Sequence, residues 1–480
     1  MYRRGMTDDV LELAARLAGE WLGSLDKRPV GIPVDPATMR DRLNAPLPDE
    51  GEDPHTVISD MAAALEPGLV ASPGPRYFGF VTGGSLPAAL AADWLVSAWD
   101  QNSAMQVMSP AVAAVEEITA GWLLDVLGLP AQAAVGFVTG GQMANFSCLA
   151  AGRDSLLAGA GWDVAADGII GAPEITVLAG AQAHATIWKA LRLLGLGPAR
   201  ARRIPADSQG AMIALDLRRE LAGVTGPALV CAQAGEVNTG AVDPLGEIGR
   251  LVRARPGTWL HVDGAFGLWA AASTALRPQL AGAELADSWA TDAHKWLNVP
   301  YDCGLAIVAD PARLTAALGL QAAYLPASAA RDALNLVPEA SRRARVLPVY
   351  AALRALGRRG LAAQVDRCCA LARRAAAGLA EGGAAEVLND ITLNQVLFRV
   401  PGASADDVIQ DVQRDGTCWL GGTTWQGGKA IRLSVSGWST TEADIDRSVA
   451  AIRAAAEARR TGVCPPDQQN SDAGQVILGQ

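Results

Sequence analysis

Lys295 stands in the run Asp292-Ala293-His294-Lys295-Trp296 of a chain that otherwise uses arginine for almost every positive charge. Of 40 Lys and Arg residues in 480, only Lys27, Lys189, Lys295 and Lys429 are lysine. A guanidinium stays protonated, whereas a desolvated lysine amine can lose its proton and attack a carbonyl to form a Schiff base. A plain surface lysine near a strand end is the alternative, and the other residues of chemical interest weigh against it.

Three further features stand where a predicted strand gives way to a loop or helix. Phe137-Val138-Thr139-Gly140-Gly141-Gln142 ends a strand and opens a helix over Met143–Arg153. Glycines there let backbone N–H groups turn toward an anion, and the helix terminus adds donors and a favourable dipole. The fingerprint GxGxxG is absent, and a tight turn without a ligand fits the same residues. His184, in Ala183-His184-Ala185-Thr186-Ile187-Trp188, follows the predicted strand Ile175–Leu178. It can stack on a planar ring or cap the next helix. Asp263, in His261-Val262-Asp263-Gly264-Ala265, ends a strand with almost no charge nearby in sequence. It makes either an Asx turn before Gly264 or an ion pair with a protonated ring nitrogen, since a buried carboxylate needs a partner. Taken together, an anion cradle, a stacking histidine, a carboxylate and a Schiff-base lysine suit one small molecule, an aldehyde-bearing phosphorylated pyridine.

The elements that must position these residues follow from pattern. Short apolar runs at Val135–Val138, Ile175–Leu178, Ala228–Gln233, Trp259–Val262, Leu285–Thr291 and Gly304–Val308 alternate with helical stretches. That alternation predicts an α/β fold, a largely parallel sheet with helices on both faces and its ligand at the carboxyl ends of the strands. Residues 1–75 read as an N-terminal helical segment broken by Pro/Gly joints, and 76–340 as the large domain. Residues 341–461 read as a smaller C-terminal α+β domain, with strands at Thr392–Val400 and Ala430–Ser436 and a last helix capped near Thr441. The tail 462–480 lacks periodicity and is expected to be disordered.

Composition excludes several classes. A formal net charge of −10 argues against nucleic acid or an anionic membrane as partner. The arginine run Ser341-Arg342-Arg343-Ala344-Arg345 reads as a helix start or an internal anion contact. No stretch of about 18 uncharged apolar residues could span a bilayer. Val10–Trp21 carries Glu12, Arg16 and Glu20, an amphipathic helix and no signal-peptide core. Seven cysteines (148, 231, 303, 368, 369, 418, 464) form no CxxC pair, and four histidines (55, 184, 261, 294) leave no metal site expected. Adjacent Cys368 and Cys369 read as small core fillers, and a reducing cytoplasm fits best.

From about Tyr77 to Ala450 the chain resembles the group II pyridoxal-phosphate decarboxylases, the aromatic-L-amino-acid decarboxylase relatives of fold type I. The resemblance rests on Tyr77-Phe78-Gly79-Phe80, Ser109-Pro110 with Glu116-Glu117, Thr139-Gly140-Gly141 and Gln182-Ala183-His184. It continues through Ala234-Gly235, Asn238-Thr239-Gly240, Asp243-Pro244, His261-Val262-Asp263, the His294-Lys295-Trp296 box, Asn394-Gln395, and Arg432 through Val435 with Trp438 through Thr441. It implies pyridoxal 5'-phosphate as cofactor, with Lys295 carrying it as a Schiff base, Asp263 holding the pyridinium proton and His184 stacking on the ring. Gly140, Gly141, Gln142, Ala265 and His294 would line the phosphate, the ring or the lysine. Tyr324 would lie in a loop and reprotonate Cα. It also implies a homodimer that exchanges its N-terminal helical segment.

The expected reaction is decarboxylation of an L-amino acid to its amine. Alternatives on the same cofactor are decarboxylative oxidation to an aldehyde, carbon–carbon lysis and transamination, while a non-catalytic cofactor-binding protein is a poor match. Arg432 is a candidate carboxylate contact that does not separate these classes. Some positions depart from the family pattern. Gln142 stands for a serine or threonine of the phosphate turn, Glu236-Val237 for a Thr-Thr pair, and Gly79 for a bulky ring. Asn102 and Ala104 are small or polar in a segment where aromatic-specific relatives tend to be apolar. A reshaped pocket is therefore expected.

Overall fold

The computed structural model describes residues 4–31, 34–320 and 331–461. Tyr324 and the tail beyond Thr461 lie outside the described residues. The central sheet has seven strands: β1 (Ala134–Val138), β2 (Thr176–Gly180), β3 (Arg202–Ile204), β4 (Ala228–Gln233), β5 (Thr258–Asp263), β6 (Ser288–Asp292) and β7 (Gly304–Val308), in the order β1-β7-β6-β5-β4-β2-β3. Only β7 runs against its neighbours.

Strands of this sheet read as continuous apolar runs because both faces are covered. Leu229 and Cys231 of β4 join a core with the helices Gly141–Gly159 and Ala185–Leu193. Val230 and Ala232 point the other way, toward the helices Pro110–Leu127, Ala214–Ala222 and Leu245–Arg253. The strand expected over Leu285–Thr291 starts later, at Ser288, because Ala283–Leu285 closes as a 3-10 turn. The short edge strand β3 was not foreseen; Arg202-Arg203-Ile204 offers a single buried apolar side chain.

A second, antiparallel sheet comprises β8 (Glu386–Val387), β9 (Gln395–Arg399), β10 (Gly421–Trp425) and β11 (Gly428–Ser434), in the order β10-β11-β9-β8. The long helix Val346–Ala380, interrupted at Gly357, packs beside it and buries Cys368 and Cys369 as core fillers. The helix Glu442–Thr461 starts with a reciprocal cap: Asp444 N–H donates to Thr441 Oγ1, and Thr441 N–H donates to Asp444 Oδ2.

Two long-range ties matter for the site. Residues 76–78 line up with the second sheet: Phe78 N–H donates to Trp419 O (2.8 Å), Trp419 N–H to Arg76 O (3.0 Å) and Ser434 N–H to Phe78 O (3.0 Å). Arg342, from the arginine run, is an internal anion contact, its Nη2 meeting the buried Glu116 carboxylate at 2.5 Å, with Arg331 Nη1 at 3.5 Å on the other oxygen. Among the described residues no helix is long and apolar enough to cross a membrane.

Candidate active site

Lys295 follows β6 in a turn, and its side chain is about four-fifths buried. Its Nζ lies 3.1 Å from Asp292 Oδ2, at the carboxyl end of β6. Asp292 Oδ1 accepts the N–H of Gly141, first residue of the helix Gly141–Gly159, at 2.5 Å. The anion cradle and the lysine, 154 residues apart in numbering (295 − 141), therefore share one buried carboxylate. A Cβ on Gly141 would stand 2.7 Å from Asp292 Oδ2, so only glycine admits an acceptor this close to the helix start.

His294 closes the same corner. Cys303 N–H donates to its Nδ1 at 3.2 Å, its Nε2 is 3.6 Å from Asp292 Oδ1, and its ring lies 4.4 Å from that of Tyr301. Burial pushes the imidazole below its ordinary pKa, which favours the neutral ring. Gly140 faces His294 Cε1, and Gln142 Nε2 reaches back to Thr186 O at 3.4 Å.

Asp263 ends β5 and is 6% exposed. The Asx turn is present, with Ala265 N–H donating to Asp263 Oδ1 at 3.2 Å. The other oxygen accepts Asn145 Nδ2–H at 3.0 Å, and Thr186 Oγ1 stands 3.5 Å away. The Ala265 carbonyl in turn accepts Asp292 N–H at 2.8 Å, which ties the ends of β5 and β6 together. His184 caps the helix Ala185–Leu193, Nδ1 accepting Thr186 N–H at 3.3 Å with Thr186 Oγ1 at 2.8 Å. Capping leaves the ring held, and burial lowers its pKa against the opposing pull of Asp263. Thr186 Oγ1 links the His184 ring to Asp263, lying 2.8 Å from His184 Nδ1 and 3.5 Å from Asp263 Oδ2.

Arg432, on β11, has Nε and Nη2 buried and without a hydrogen-bond partner. Burial lowers its pKa, opposed by Glu236. Such a guanidinium costs free energy until an acceptor reaches it. Glu236 itself is spoken for: its carboxylate accepts Asn238 N–H at 2.7 Å, Asn238 Nδ2–H at 2.7 Å and Thr239 N–H at 2.8 Å. Asn102 Oδ1 accepts from Ala104 and Arg342 within its own chain. At Gly79 the room for a ring is taken, since a Cβ would lie 2.1 Å from Trp419 Cζ3. Trp419 stacks on Tyr77 at 4.9 Å between centroids and tilts against Phe80 at 5.2 Å. Burial raises the Tyr77 phenol to about 12, with Tyr301 adding to the rise.

Asn145 and Trp419 were not singled out from the sequence, and Asp292 and Thr186, though quoted in their runs, were given no role there. Asn145 had a usable signal, one helical turn after Gly141, and Thr186 sits two residues past His184. Among the described residues no group of three or more His, Cys, Asp or Glu side chains could hold a metal ion.

The donor set fits pyridoxal phosphate. An anion, the Asp292 carboxylate, is already held at the amide where the phosphate is expected, with the amine, carboxylate and imidazole gathered beside it. With its sheet order and strand-end lysine, this is a fold-type-I pyridoxal-phosphate enzyme. The conserved domain of pyridoxal-dependent decarboxylases matches residues 36–401, and the chain belongs to that family of amino-acid carboxy-lyases. The chain is 31% identical to tryptophan decarboxylase 1 of Oryza sativa over 377 residues, covering 73% of this chain and 72% of that protein. It is 27% identical to the aromatic-L-amino-acid decarboxylase of Bacillus atrophaeus over 463 residues, covering 92% and 94%. The crystal structure of Oryza sativa TDC with PLP and tryptamine superimposes with a TM-score of 0.87 at 25% identity, covering 95% of this chain and 98% of that one.

Proposed function

We propose that the chain decarboxylates L-amino acids with aromatic side chains, with Lys295 as the covalent anchor of pyridoxal phosphate. The observation that carries this reading is the meeting of Lys295 Nζ and Gly141 N–H on Asp292, beside His184 and Asp263. Gly140, Gly141, Gln142 and His294 would hold the phosphate, through first-turn amides that have no intrahelical acceptor. Asp263 would face the ring nitrogen and His184 the ring plane, with the Ala265 backbone fixing the Asp263 carboxylate. Bound there, the cofactor supplies an electron sink for the pair left at Cα when CO₂ departs.

The chain's own groups set the outcome by orientation. Whichever Cα bond stands perpendicular to the ring is the one that breaks, so residues that hold the substrate carboxylate choose the reaction. Arg432, with two unpartnered buried nitrogens, is placed to meet that carboxylate as it enters. Tyr324 is assigned proton return to Cα on the resemblance alone. The aromatic class is supported by the Tyr77–Trp419–Phe80 group, in which an indole from the loop before β10 takes the space of the ring missing at position 79. The tryptophan and aromatic-amino-acid decarboxylases among its relatives point the same way.

The same reading makes the protein a cytoplasmic homodimer that exchanges residues 1–75. Supporting it are the exposed Trp94, Leu95, Trp99, Val107, Met108 and Ile118, an apolar set of the kind a partner covers. A groove of about 710 Å³ lined by Leu13, Leu17, Trp21, Leu65 and Trp94 adjoins them. The described cysteines are buried free thiols, as a reducing compartment permits.

The test is a purified holoenzyme offered tryptophan, tyrosine, DOPA, glutamate and diaminobutyrate, with amine and CO₂ followed by mass spectrometry and mass by light scattering. Amine from the aromatic substrates, and visible absorbance lost in Lys295→Ala, are expected. Turnover of only the acidic or diamino substrates would overturn the aromatic assignment, and oxygen uptake with peroxide release would mark aldehyde formation instead.

A further inference from the structure

Asn145 lies one turn beyond the cradle on the helix Gly141–Gly159, fully buried. All the hydrogen-bonding capacity of its amide group is directed at the site or at what supports it. One Nδ2 proton meets Asp263 Oδ2 at 3.0 Å, and the other meets Thr186 Oγ1 at 3.0 Å. Its Oδ1 accepts from His261 Nε2 at 2.8 Å. The reverse amide orientation would set an oxygen against the Asp263 carboxylate, so the network fixes which atom is which.

His261 is the brace behind this amide. Burial pushes its imidazole down to about 4, so it is neutral at working pH. Trp259 Nε1–H donates to Ser288 Oγ at 2.9 Å, and that hydroxyl stands 2.9 Å from His261 Nδ1. With Nδ1 accepting, the proton resides on Nε2, where Asn145 Oδ1 receives it. On the other side Thr186 Oγ1 lies 2.8 Å from His184 Nδ1. One amide thus joins the carboxylate and the imidazole, and the helix that carries it also begins the anion cradle.

We infer that Asn145 and Thr186 are positioning residues that lock the Asp263 carboxylate and the His184 ring to each other and to the cradle helix. The inference rests on the roles proposed above for Asp263 and His184. Groups that flank a planar ligand must hold their geometry to within about 0.5 Å, and shared hydrogen bonds from one rigid helix supply that constraint. Each acts through its partner, Asn145 through Asp263 and Thr186 through His184.

Thr186→Val keeps the side-chain shape without the hydroxyl, and Thr186→Ser keeps the hydroxyl. In the holoenzyme, Thr186→Val is expected to lower kcat about tenfold with KM moving less than about threefold. It should also at least halve the visible circular dichroism per bound cofactor, because the ring is no longer held in one orientation. Thr186→Ser should recover most of both. Asn145→Ala should fall further, and adding Thr186→Val to it should cost little more, since the two bonds act in series. Wild-type dichroism and kcat in Thr186→Val, or a Thr186→Ser as impaired as the valine variant, would overturn the inference. If Asn145→Ala does not fold, the two Thr186 variants decide. Visible absorbance persisting in Lys295→Ala would instead sink the underlying site assignment, whatever the Thr186 variants do.

Discussion

Lys295 Nζ and Asp292 Oδ2 stand 3.1 Å apart, and the carboxylate they share with Gly141 N–H is 2% exposed. A negative side chain thus holds the amide at which a phosphate oxygen is expected, and the two anions compete for that one donor. Asp292→Asn should bind inorganic phosphate about tenfold more tightly than the wild-type apoprotein, read by competition against cofactor binding. Weaker binding in the variant would show that the ion pair mainly builds the site.

Gly79 and Trp419 should behave as a coupled pair. Gly79→Tyr drives a ring into the indole and should cost about 3 kcal/mol in denaturant unfolding. In a Trp419→Ala background the same change should cost far less, because the space is then free. Equal costs in the two backgrounds would mean the ring at 79 finds another path.

His261 predicts a stability slope with pH. Its folded pKa of about 4 lies below the ordinary 6.5, so the unfolded chain binds the extra proton between those values. Its contribution is complete above about pH 6.5 and is lost as pH falls toward 4, by up to about 3 kcal/mol. In His261→Asn that part of the slope should vanish from unfolding curves taken between pH 4 and 7.

Breaking the buried pair of Glu116 and Arg342 should be more harmful than replacing it. Glu116→Ala leaves Arg342 buried beside no carboxylate and should cost about 3–5 kcal/mol, measured by denaturant midpoint. Glu116→Leu with Arg342→Met should regain much of that loss. A double variant no better than Glu116→Ala would show that Arg331 or the Ser103 carbonyl, which Arg342 Nη1 also contacts, needs the pair.

Where the site would form was legible because chemistry at an α/β sheet gathers at strand ends, and each end announces itself locally. Lys295, Asp263, His184 and the Gly140-Gly141 turn each follow a short apolar run, and the fold brings these four runs together. Of the two readings left open at His184 and at Asp263, the local one is present in each case: the histidine caps its helix and the aspartate makes its Asx turn, while their contacts with a ring belong to the proposed function. What stayed hidden depends on pairing across the fold. Asn145 and Asp263 are 118 residues apart, and nothing in either neighbourhood names the other. Gly79 looked like a lost ring because its replacement, Trp419, comes from the loop before β10, 340 residues further along the chain (419 − 79).

The ladder joining residues 76–78 to Trp419 and Ser434 also sets an order of events during synthesis. Arg76 Nε reaches Thr417 O across 341 residues of chain. The early segment thus leaves the ribosome long before its partners exist, with apolar side chains waiting uncovered. A nascent chain stopped short of β11 would already own its lysine and its cradle. It would still lack the arginine on that strand, so the proposed grip on the substrate carboxylate arrives only with the last strand to be made.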